Sequence, residues 1–394
     1  MTRSEPRSLD WTKRLIAFDT TSRNSNLDLI ETVRDHLSAL GLLVSLTYDP
    51  DGSKANLFAT LPGHEGTTTG GIILSGHTDV VPVDGQDWST LPFEPVIKDE
   101  RLYARGSADM KAFLGAMIAL AERLSANHLY HPLHLAFSYD EEIGCRGAPA
   151  MISDIVKRDI RPAGCIVGEP TMMKVVTAHK GINVYRCTVH GHAAHSSQQN
   201  QGVNAIENAA SIIAQIRSVA RRFEDAGPYE EGFELPFTTA QTGMIGGGIA
   251  INTIPDHCSF DFEFRNVPPV NPDDVVNEIR SYADAAVLPD MQRRHSNSAI
   301  EFRQIAAAPA FQIDEHADIT RLVRSLSGDN GISKVSYGTE AGLFNLSGIP
   351  TVVCGPGDIS QAHRPDEFIE LDQMHKCDLF LDGIGDALQR ERSI

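Results

Sequence analysis

The sequence predicts an α/β fold in which a larger domain has a mostly parallel central sheet flanked by helices, with a smaller α+β domain inserted into it. In the first half of the chain, strand-like apolar runs alternate with helical patterns over about 30 residues, which is typical of parallel sheets. This pattern changes near residue 183 and returns near residue 298. We therefore expect residues 1–182 and 298–394 to form the larger domain and residues 183–297 the smaller one.

The elements of the larger domain follow from its apolar spacing. Between residues 27 and 40, apolar side chains recur every three or four positions, and Gly41 then provides a stop, so this segment is predicted to be a helix. The other predicted elements are strands at residues 71–77, 133–139, 164–168 and 351–354, and helices at residues 113–124 and 148–158.

The smaller domain has a different pattern. Residues 260–265 alternate strictly between apolar and polar, as a half-buried antiparallel strand does. The other predicted elements are helices at residues 206–223 and 271–287 and strands at residues 183–190, 238–248 and 249–254. The glycine triplet at 246–248 lacks the Lys-Ser/Thr pair and the βα context of a phosphate loop, which favours a hinge or hairpin.

Composition excludes several classes of protein. The chain has 394 residues, of which 52 are acidic and 34 basic, so its formal charge of −18 argues against a nucleic-acid partner. Six scattered cysteines without a CxxC pair argue against a thiolate zinc site and favour a reducing, cytoplasmic location. We expect no membrane partner, because no signal-peptide core or apolar run of about 18 residues occurs.

Acidic and histidine side chains follow the predicted strands at their carboxyl ends, where open α/β sheets place their ligands. In the strand-like His77-Thr78-Asp79 run, the first and third side chains share a face, so Asp79 is expected to accept the second ring N–H of His77. Glu141 and Glu142 follow a later strand directly. The remaining candidates are Asp109, Glu169 and His363.

As a set, these residues predict a metal site. Each one alone also fits an ordinary structural role, such as a hydrogen-bonded loop histidine or a solvated carboxylate. Together, two histidines and three carboxylates are the ligand types of zinc or a similar divalent ion. A pair of ions also needs a bridging carboxylate, and the surplus member of the Glu141–Glu142 pair is free to take a proton from bound water.

Five segments resemble, in order, the motifs of the M20 metallopeptidase and deacylase family. They are GHTDVVPV (76–83), GSADMK (106–111), DEE (140–142), VGEPT (167–171) and AHRPDE (362–367). Further segments most resemble the acetylornithine deacetylase branch of that family. These are AHKG (178–181), GHAAHSS (191–197), GVNA (202–205), YGTEA (337–341) and GPGDI (355–359).

The resemblance implies a role for each ligand. His77 and Glu169 would bind one metal, Glu142 and His363 the other, and Asp109 would bridge them. Asp79 would orient His77, and Glu141 would act as the general base. The ions would be two divalent metals, with zinc favoured by ligand type and cobalt or manganese also fitting.

The resemblance also implies roles for the inserted domain, which in the family acts as a lid and supports a homodimer. His195 matches the histidine that reaches the partner's active site and polarises the scissile carbonyl; its neighbours His190 and His192 fit strand or loop surface. Arg265 would bind the substrate carboxylate, although a solvated strand face is an equal alternative. Asn252 would donate near the oxyanion or serve as a turn residue.

The implied reaction is hydrolysis of N2-acetyl-L-ornithine to L-ornithine and acetate, by a metal-bridged hydroxide with Glu141 as base. Glu340 would read the substrate ammonium, with a structural carboxylate as the alternative. Succinyl-diaminopimelate desuccinylase, aminoacylase and dipeptidase activities share the same implied metal site and stay open. A non-catalytic amino-acid-binding protein is a further alternative, against which the retained base Glu141 argues.

Overall fold

Residues 5–391 are described by a computed structural model, in which the chain divides into two units. The larger unit contains the described residues up to Ala178, together with Gln312–Ser333 and the residues from Thr339 onward. The smaller unit contains His179–Phe311 and Lys334–Gly338. No helix among the described residues is long and apolar enough to cross a membrane.

The first part of the chain builds most of the larger unit. Its elements are α1 (Leu9–Ile16), α2 (Leu27–Ala39), β1 (Leu43–Tyr48), β2 (Ala55–Leu61), β3 (Ile72–His77), β4 (Val96–Lys98), β5 (Arg101–Tyr103), α3 (Ala112–Ser125), β6 (Leu133–Ser138), α4 (Ala148–Lys157), β7 (Gly164–Val167) and β8 (Val176–His179).

The smaller unit and the return of the chain follow. The smaller unit holds β9 (Ile182–His190), β10 (Ala194–His195), α5 (Ala205–Ala226), β11 (Thr239–Gly247), β12 (Thr253–Ile254), β13 (His257–Arg265), α6 (Pro272–Tyr282), α7 (Leu288–Arg294) and β14 (Ala299–Ala308). The remaining elements are β15 (Phe311–Gln312), α8 (Asp318–Ser327), β16 (Ser333–Val335), α9 (Ala341–Leu346), β17 (Thr351–Val353), β18 (Phe368–Glu370) and α10 (Leu371–Leu388).

The central sheet is mixed. Seven of its nine strands run in the order β1-β2-β6-β3-β7-β17-β8. The four strands β6, β3, β7 and β17 are parallel to one another, whereas β1, β2 and β8 pair antiparallel with their neighbours. The expected α/β class is confirmed, but the sheet is parallel only in its middle. The connection between β1 and β2, residues 49–54, is too short for a crossover and allows only a hairpin.

The core of the larger unit lies on both faces of this sheet. Strands β2, β3, β6 and β7 are buried along their whole length, as strands covered by helices on both faces are. The helix α3 is buried almost all round. A sheet enclosed in this way holds the ends of its strands rigidly, and the site described below is built on those ends.

The smaller unit is a four-stranded antiparallel sheet with helices packed on one face. Its strand order is β11-β13-β9-β14, and burial alternates along β9 and β13. The buried side chains of these strands form one apolar cluster with those of α5 and α6. At the start of α5, Asn204 accepts hydrogen bonds from the N–H groups of Ile206 and Glu207, an N-cap that defines where this helix begins.

The structure places the unit boundaries differently from the expected residues 183 and 298. Strand β14 pairs with β9 over most of its length, so the smaller unit extends to Phe311. The expected return of α/β character at about residue 298 is therefore wrong for β14, because the pairing of this strand with β9 depends on a contact between distant segments. Residues Lys334–Gly338 also join the smaller unit.

Candidate metal centre

The candidate ligands are brought together by three adjacent parallel strands. His77 is the last residue of β3, and β3 pairs in parallel with both β6 and β7. Glu141 and Glu142 lie just after β6, and Glu169 lies just after β7. Because the carboxyl ends of neighbouring parallel strands meet at one edge, these side chains converge.

His77 lies at the centre of this cluster and is 1% exposed. Its Nε2 is 3.1 Å from Asp109 Oδ1 and 3.9 Å from Glu169 Oε1. On the other side of the ring, Nδ1 lies 2.9 Å from the backbone carbonyl oxygen of Asp79, which fits donation of the Nδ1 proton to that oxygen. This tautomer leaves Nε2 free to bind a metal.

Asp79 holds His77 in a different way from the one expected. Its carboxylate oxygen Oδ1 is 3.6 Å from His77 Nδ1, beyond hydrogen-bond distance. That carboxylate instead accepts hydrogen bonds from the N–H groups of Glu141, at 3.0 Å, and Glu142, at 3.3 Å, and from the Ser22 hydroxyl at 2.7 Å. The carboxylate is turned away because these three donors occupy it, so the Asp79 main chain, not its side chain, orients His77.

Asp109 lies between the two candidate histidines. One of its carboxylate oxygens faces His77, and the other, Oδ2, is 3.4 Å from His363 Nε2. The same His363 nitrogen is 3.0 Å from Glu142 Oε2. Each oxygen of Asp109 therefore faces a different histidine, which is the position that a bridging ligand requires.

Ligand atoms of these residues lie close enough to share metal ions. One group consists of His77, Glu141 and Glu169, and a second of His77, Asp109 and Glu142, with the ligand atoms of each group within 4.8 Å of one another. His363 adjoins the second group through Asp109 and Glu142. The structure thus brings together the predicted ligands, while the division of ligands between two ions stays a prediction.

The electrostatics of the cluster reflect its crowded negative charge. Burial and the neighbouring Asp109 raise the pKa of Glu142 to about 7. Burial also raises the pKa of Glu141 and that of Glu169 well above the ordinary value. Hydrogen bonds that the His363 ring donates to the Asp109 and Glu142 carboxylates raise the pKa of His363 to about 10, so without a metal this imidazole stays protonated at neutral pH.

This donor set fits a pair of divalent metal ions. Four carboxylates and two imidazoles meet at one edge of the central sheet, where His77, Asp109 and Glu169 are buried. Burial and the neighbouring carboxylates disfavour the ionised form of Glu169, which is the form that binds a metal. Bound dications reverse the cost, since they favour the ionised carboxylates and the neutral imidazoles that ligation needs. Mixed nitrogen and oxygen ligands suit zinc or cobalt.

Two of the loops at this edge contain strained backbone. Asp140, which precedes the Glu141–Glu142 pair, has φ of 55°, and His363 has φ of 65°. Left-handed conformations are uncommon outside glycine, although Asp and His tolerate them better than most residues, and they cluster at functional sites. The strain turns the chain sharply at the strand end and aims the following carboxylates at His77.

Glu340 is buried in the larger unit and is 1% exposed. Neither carboxylate oxygen makes a hydrogen bond of ordinary geometry, and the hydroxyls of Ser75 and Ser138 nearby also have no partner among the described residues. Burial raises the pKa of Glu340 to about 7. This placement does not support the expected contact with a substrate ammonium, because the carboxylate is enclosed by the ends of β3 and β6.

In the smaller unit, His195 and Asn252 are neighbours. Strands β10 and β12 pair His195 with Thr253, and the N–H of Ser196 donates to the Asn252 carbonyl oxygen at 3.0 Å. His195 is exposed, and its Nδ1 accepts from the N–H of Ser197 at 3.3 Å. A ring nitrogen that accepts from a main-chain N–H carries no proton, so the neutral ring carries its proton on Nε2.

Arg265 ends β13, where Nη1 donates to the Ser336 carbonyl at 3.3 Å and Nη2 lies 3.3 Å from Glu263 Oε2. A second cation, Lys180, is close to it and was given no role in the sequence analysis, although it lies in the AHKG segment. Its ammonium is buried and donates to the Phe237 carbonyl at 2.7 Å. Burial and the Arg265 charge lower the pKa of Lys180 to about 8.

Comparison with known proteins agrees with this geometry. Residues 73–384 match the peptidase family M20/M25/M40. The chain belongs to this family. Among curated relatives, the acetylornithine deacetylase of Edwardsiella ictaluri is 32% identical over 93% of this chain and 92% of the relative. The acetylornithine deacetylase of Pasteurella multocida is 34% identical over 88% of this chain and 87% of the relative.

Solved structures show the same fold at lower identity. An M20 family metallo-carboxypeptidase from Sulfolobus solfataricus is 18% identical, with a TM-score of 0.76 over 96% of this chain and 98% of that chain. A dinuclear metal binding peptidase of the M20 family from Bacillus subtilis is 14% identical, with a TM-score of 0.67 over 98% of each chain. The α/β fold with a separate, smaller sheet-rich unit is therefore that of M20 peptidases.

Proposed function

We propose that this M20 hydrolase removes the acetyl group from N2-acetyl-L-ornithine, releasing acetate and L-ornithine, as a step of arginine biosynthesis. The observation that carries the proposal is the buried cluster around His77, in which candidate metal ligands surround a carboxylate that is suited to act as a base. The acetylornithine deacetylases among the relatives supply the choice of acyl group and amino acid.

Two divalent ions would be held by His77 and Glu169, by Glu142 and His363, and by Asp109 between them. When bound, such ions act as Lewis acids and lower the pKa of a bound water to about 7, so that hydroxide is available at neutral pH. Zinc is favoured by the nitrogen and oxygen donors, and cobalt also fits them.

Glu141 is the proposed general base. Its carboxylate removes a proton from the attacking water, whose oxygen bonds to the acetyl carbon. When the carbon–nitrogen bond breaks, the same proton passes from Glu141 to the departing amine, so that acetate and the free amino acid leave. Asp79 supports this role because its carboxylate accepts hydrogen bonds from the main-chain N–H groups of Glu141 and Glu142 and thereby fixes their loop.

His195 is proposed to stabilise the oxyanion through its Nε2–H. The hydrogen bonds at Nδ1 favour that tautomer, and the nearby Asn252 is proposed to add an amide donor. Arg265 is proposed to bind the substrate carboxylate, for which its planar guanidinium is suited. The buried Lys180 beside it adds positive charge to the same region.

A homodimer is proposed, formed through the smaller unit as lid and dimerisation domain. The edge strand β11 carries no charged residue, and Met244 and Ile245 on it are 67% and 58% exposed. Uncharged, exposed edges invite pairing with another strand, and antiparallel pairing of two copies satisfies twofold symmetry. The other proposed partner is the small N-acyl amino acid, with no nucleic acid and no membrane.

The proposed location is the cytoplasm. All six cysteines are buried free thiols. A chain of this length without a disulfide suits a reducing compartment, where thiols are kept reduced.

A substrate panel on metal-loaded protein tests the proposal. The panel contains N2-acetylornithine, succinyl-diaminopimelate, acetylmethionine and a dipeptide, each also tested on protein treated with a chelator. We expect kcat/KM to favour acetylornithine on the order of 100-fold and activity to disappear on chelation. Preference for another member would replace the proposed substrate, and undiminished turnover after metal removal would contradict the metal centre.

The Glu141→Ala variant tests the base on the same substrate. Removing a general base costs about 10²–10⁴-fold in kcat, while the metal content measured by atomic emission should stay at the wild-type level. Full turnover by this variant with metal bound would show that another group moves the proton.

A further inference from the structure

A buried ion pair in the larger unit has no part in the chemistry proposed above. The Arg105 and Glu367 side chains are each 1% exposed, and Arg105 Nη1 lies 2.8 Å from Glu367 Oε2. Desolvating two charges is costly unless their remaining donors and acceptors are satisfied. The groups that form hydrogen bonds with this ion pair belong to two segments, one that carries Asp109 and one that carries His363.

Glu367 holds the turn that carries Asp109. Its Oε1 accepts hydrogen bonds from the N–H groups of Ala108, at 2.9 Å, and Asp109, at 3.1 Å. Its Oε2 accepts from the N–H of Gly106 at 3.0 Å. Three main-chain donors of one turn therefore converge on one buried carboxylate, which fixes the direction in which the Asp109 side chain leaves the chain.

Arg105 and Gln86 connect this carboxylate to the His363 loop. Arg105 Nη2 donates to Gln86 Oε1 at 2.7 Å, and Nη1 donates to the Arg364 carbonyl at 3.2 Å. Gln86 then donates through Nε2 to the His363 carbonyl at 3.0 Å. One connected series of hydrogen bonds thus joins the main chain at Asp109 to the main chain at His363.

His363 needs such support more than His77 does. His77 ends a fully buried strand, whereas the His363 side chain is 54% exposed and its backbone is left-handed. His363 lies in a loop outside the strands of the central sheet, and a mobile imidazole binds a metal weakly because its ordering costs entropy.

We propose that Gln86, Arg105 and Glu367 are positioning residues that hold Asp109 and His363 at the separation needed to share one ion, and so set the affinity of the metal position formed with Glu142. This inference rests on the proposed two-metal centre. The part played by Gln86 concerns the position that uses His363, because Gln86 donates to the His363 main chain, whereas Asp109, which both positions share, is held by Glu367.

The Gln86→Ala variant tests the proposal. Gln86 lies in a half-exposed loop, so its truncation leaves the core intact but removes both the acceptor for Arg105 and the donor to His363. Zinc titration of metal-free protein by calorimetry should show two binding events in the wild type. In the variant, we expect one event unchanged and the other weakened about 10–100-fold.

Two further variants sharpen the test. Gln86→Glu keeps an acceptor for Arg105 but cannot donate to the His363 carbonyl, so we expect it to lose affinity at the same single position. Gln361→Ala is the matched control: this glutamine is also half-exposed and is two residues from His363, but among the described residues its side chain donates to the Ser360 hydroxyl and not to the His363 loop. Both titration events should keep wild-type affinity in the control.

The outcomes separate this inference from the proposed function. If the wild type binds two ions and both Gln86 variants bind them with wild-type affinities, the positioning role is wrong while the metal centre stands. A wild-type protein that binds fewer than two ions contradicts the metal centre and this inference together. Two ions without cleavage of acetylornithine would contradict only the proposed substrate.

Discussion

At the scale of single residues, the site depends on where each carboxylate finds its hydrogen-bond donors. Asp79 is two residues from His77 in the strand-end motif, yet its carboxylate accepts hydrogen bonds from main-chain N–H groups of the Glu141–Glu142 loop. Its main-chain carbonyl contacts His77 instead. One residue therefore connects a metal ligand to the proposed base, which explains why both lie at fixed positions relative to each other.

The burial of Glu340 couples the ionisation of its carboxyl to stability as pH changes. In the unfolded chain its carboxyl ionises near 4.5, but in the folded, metal-free protein burial raises its pKa to about 7. Between these values the unfolded chain loses the proton first. The stabilising contribution of protonated Glu340 is therefore fully present below pH 4.5 and is lost as pH rises through about 7.

The Glu340→Gln variant should remove this loss, because an amide does not ionise. Relative to wild type, we expect the variant to gain on the order of 3 kcal/mol of unfolding free energy between pH 4.5 and pH 8. Urea unfolding of chelator-treated protein at several pH values measures the difference. Glu65→Gln is the control, since that side chain is 86% exposed and its replacement should change the unfolding free energy by no more than about 0.5 kcal/mol. A flat difference for Glu340→Gln as well would show that its carboxyl is already solvated.

At the scale of elements, strand β11 differs from the other edge of its sheet. Strand β14 carries Glu301 and Arg303, charges of the kind that protect an edge from pairing. Strand β11 has none, and the segment after it exposes Ile249 and Ile251 at 91% and 102%. The uncharged edge is therefore the one expected to be covered in the proposed homodimer.

A lysine placed on this edge should prevent the pairing. We expect Ile245→Lys to be monomeric by light scattering at concentrations where the wild type is a dimer, since desolvating the new charge opposes strand addition. Gln304→Lys places the same charge on the opposite edge strand β14 and should remain a dimer. If the Ile245→Lys variant is a dimer, the dimer contact does not involve the β11 edge. If the wild type is a monomer, the proposed homodimer is wrong.

At the scale of the whole molecule, all five predicted metal ligands belong to the larger unit. A ligand that binds only the folded state stabilises the unit that holds it, by about 2.7 kcal/mol at a concentration of 100 times Kd. For a unit of this size, such a free energy corresponds to a rise in Tm of about 5–10 °C.

Differential scanning calorimetry should therefore show one unfolding transition whose Tm rises with zinc and another whose Tm does not change. We expect zinc to raise the Tm of the larger unit and to leave that of the smaller unit in place, with a chelator reversing the rise. Limited proteolysis during heating identifies which unit each transition belongs to. Equal movement of both transitions would show that the two units unfold together, and movement of the smaller unit alone would contradict the ligand assignment.

The sequence by itself determined the α/β class, the inserted unit and the set of residues around His77. Strand patterns and the residues that follow them are local features, and parallel strands bring their carboxyl ends to one edge whatever the rest of the fold does. For that reason the positions of His77, of the Glu141–Glu142 pair and of Glu169 could be predicted from three separate segments.

Tertiary structure alone decided the contacts that join distant segments. The burial of Glu340 against Ser75 and Ser138, the proximity of Lys180 to Arg265, and the pairing of β14 with β9 all depend on which elements pack together. The same holds for the connection from Gln86 through Arg105 to Glu367. Periodicity records which side of an element is apolar, but it does not record the partner on the facing element, and hydrogen-bond geometry depends on that partner.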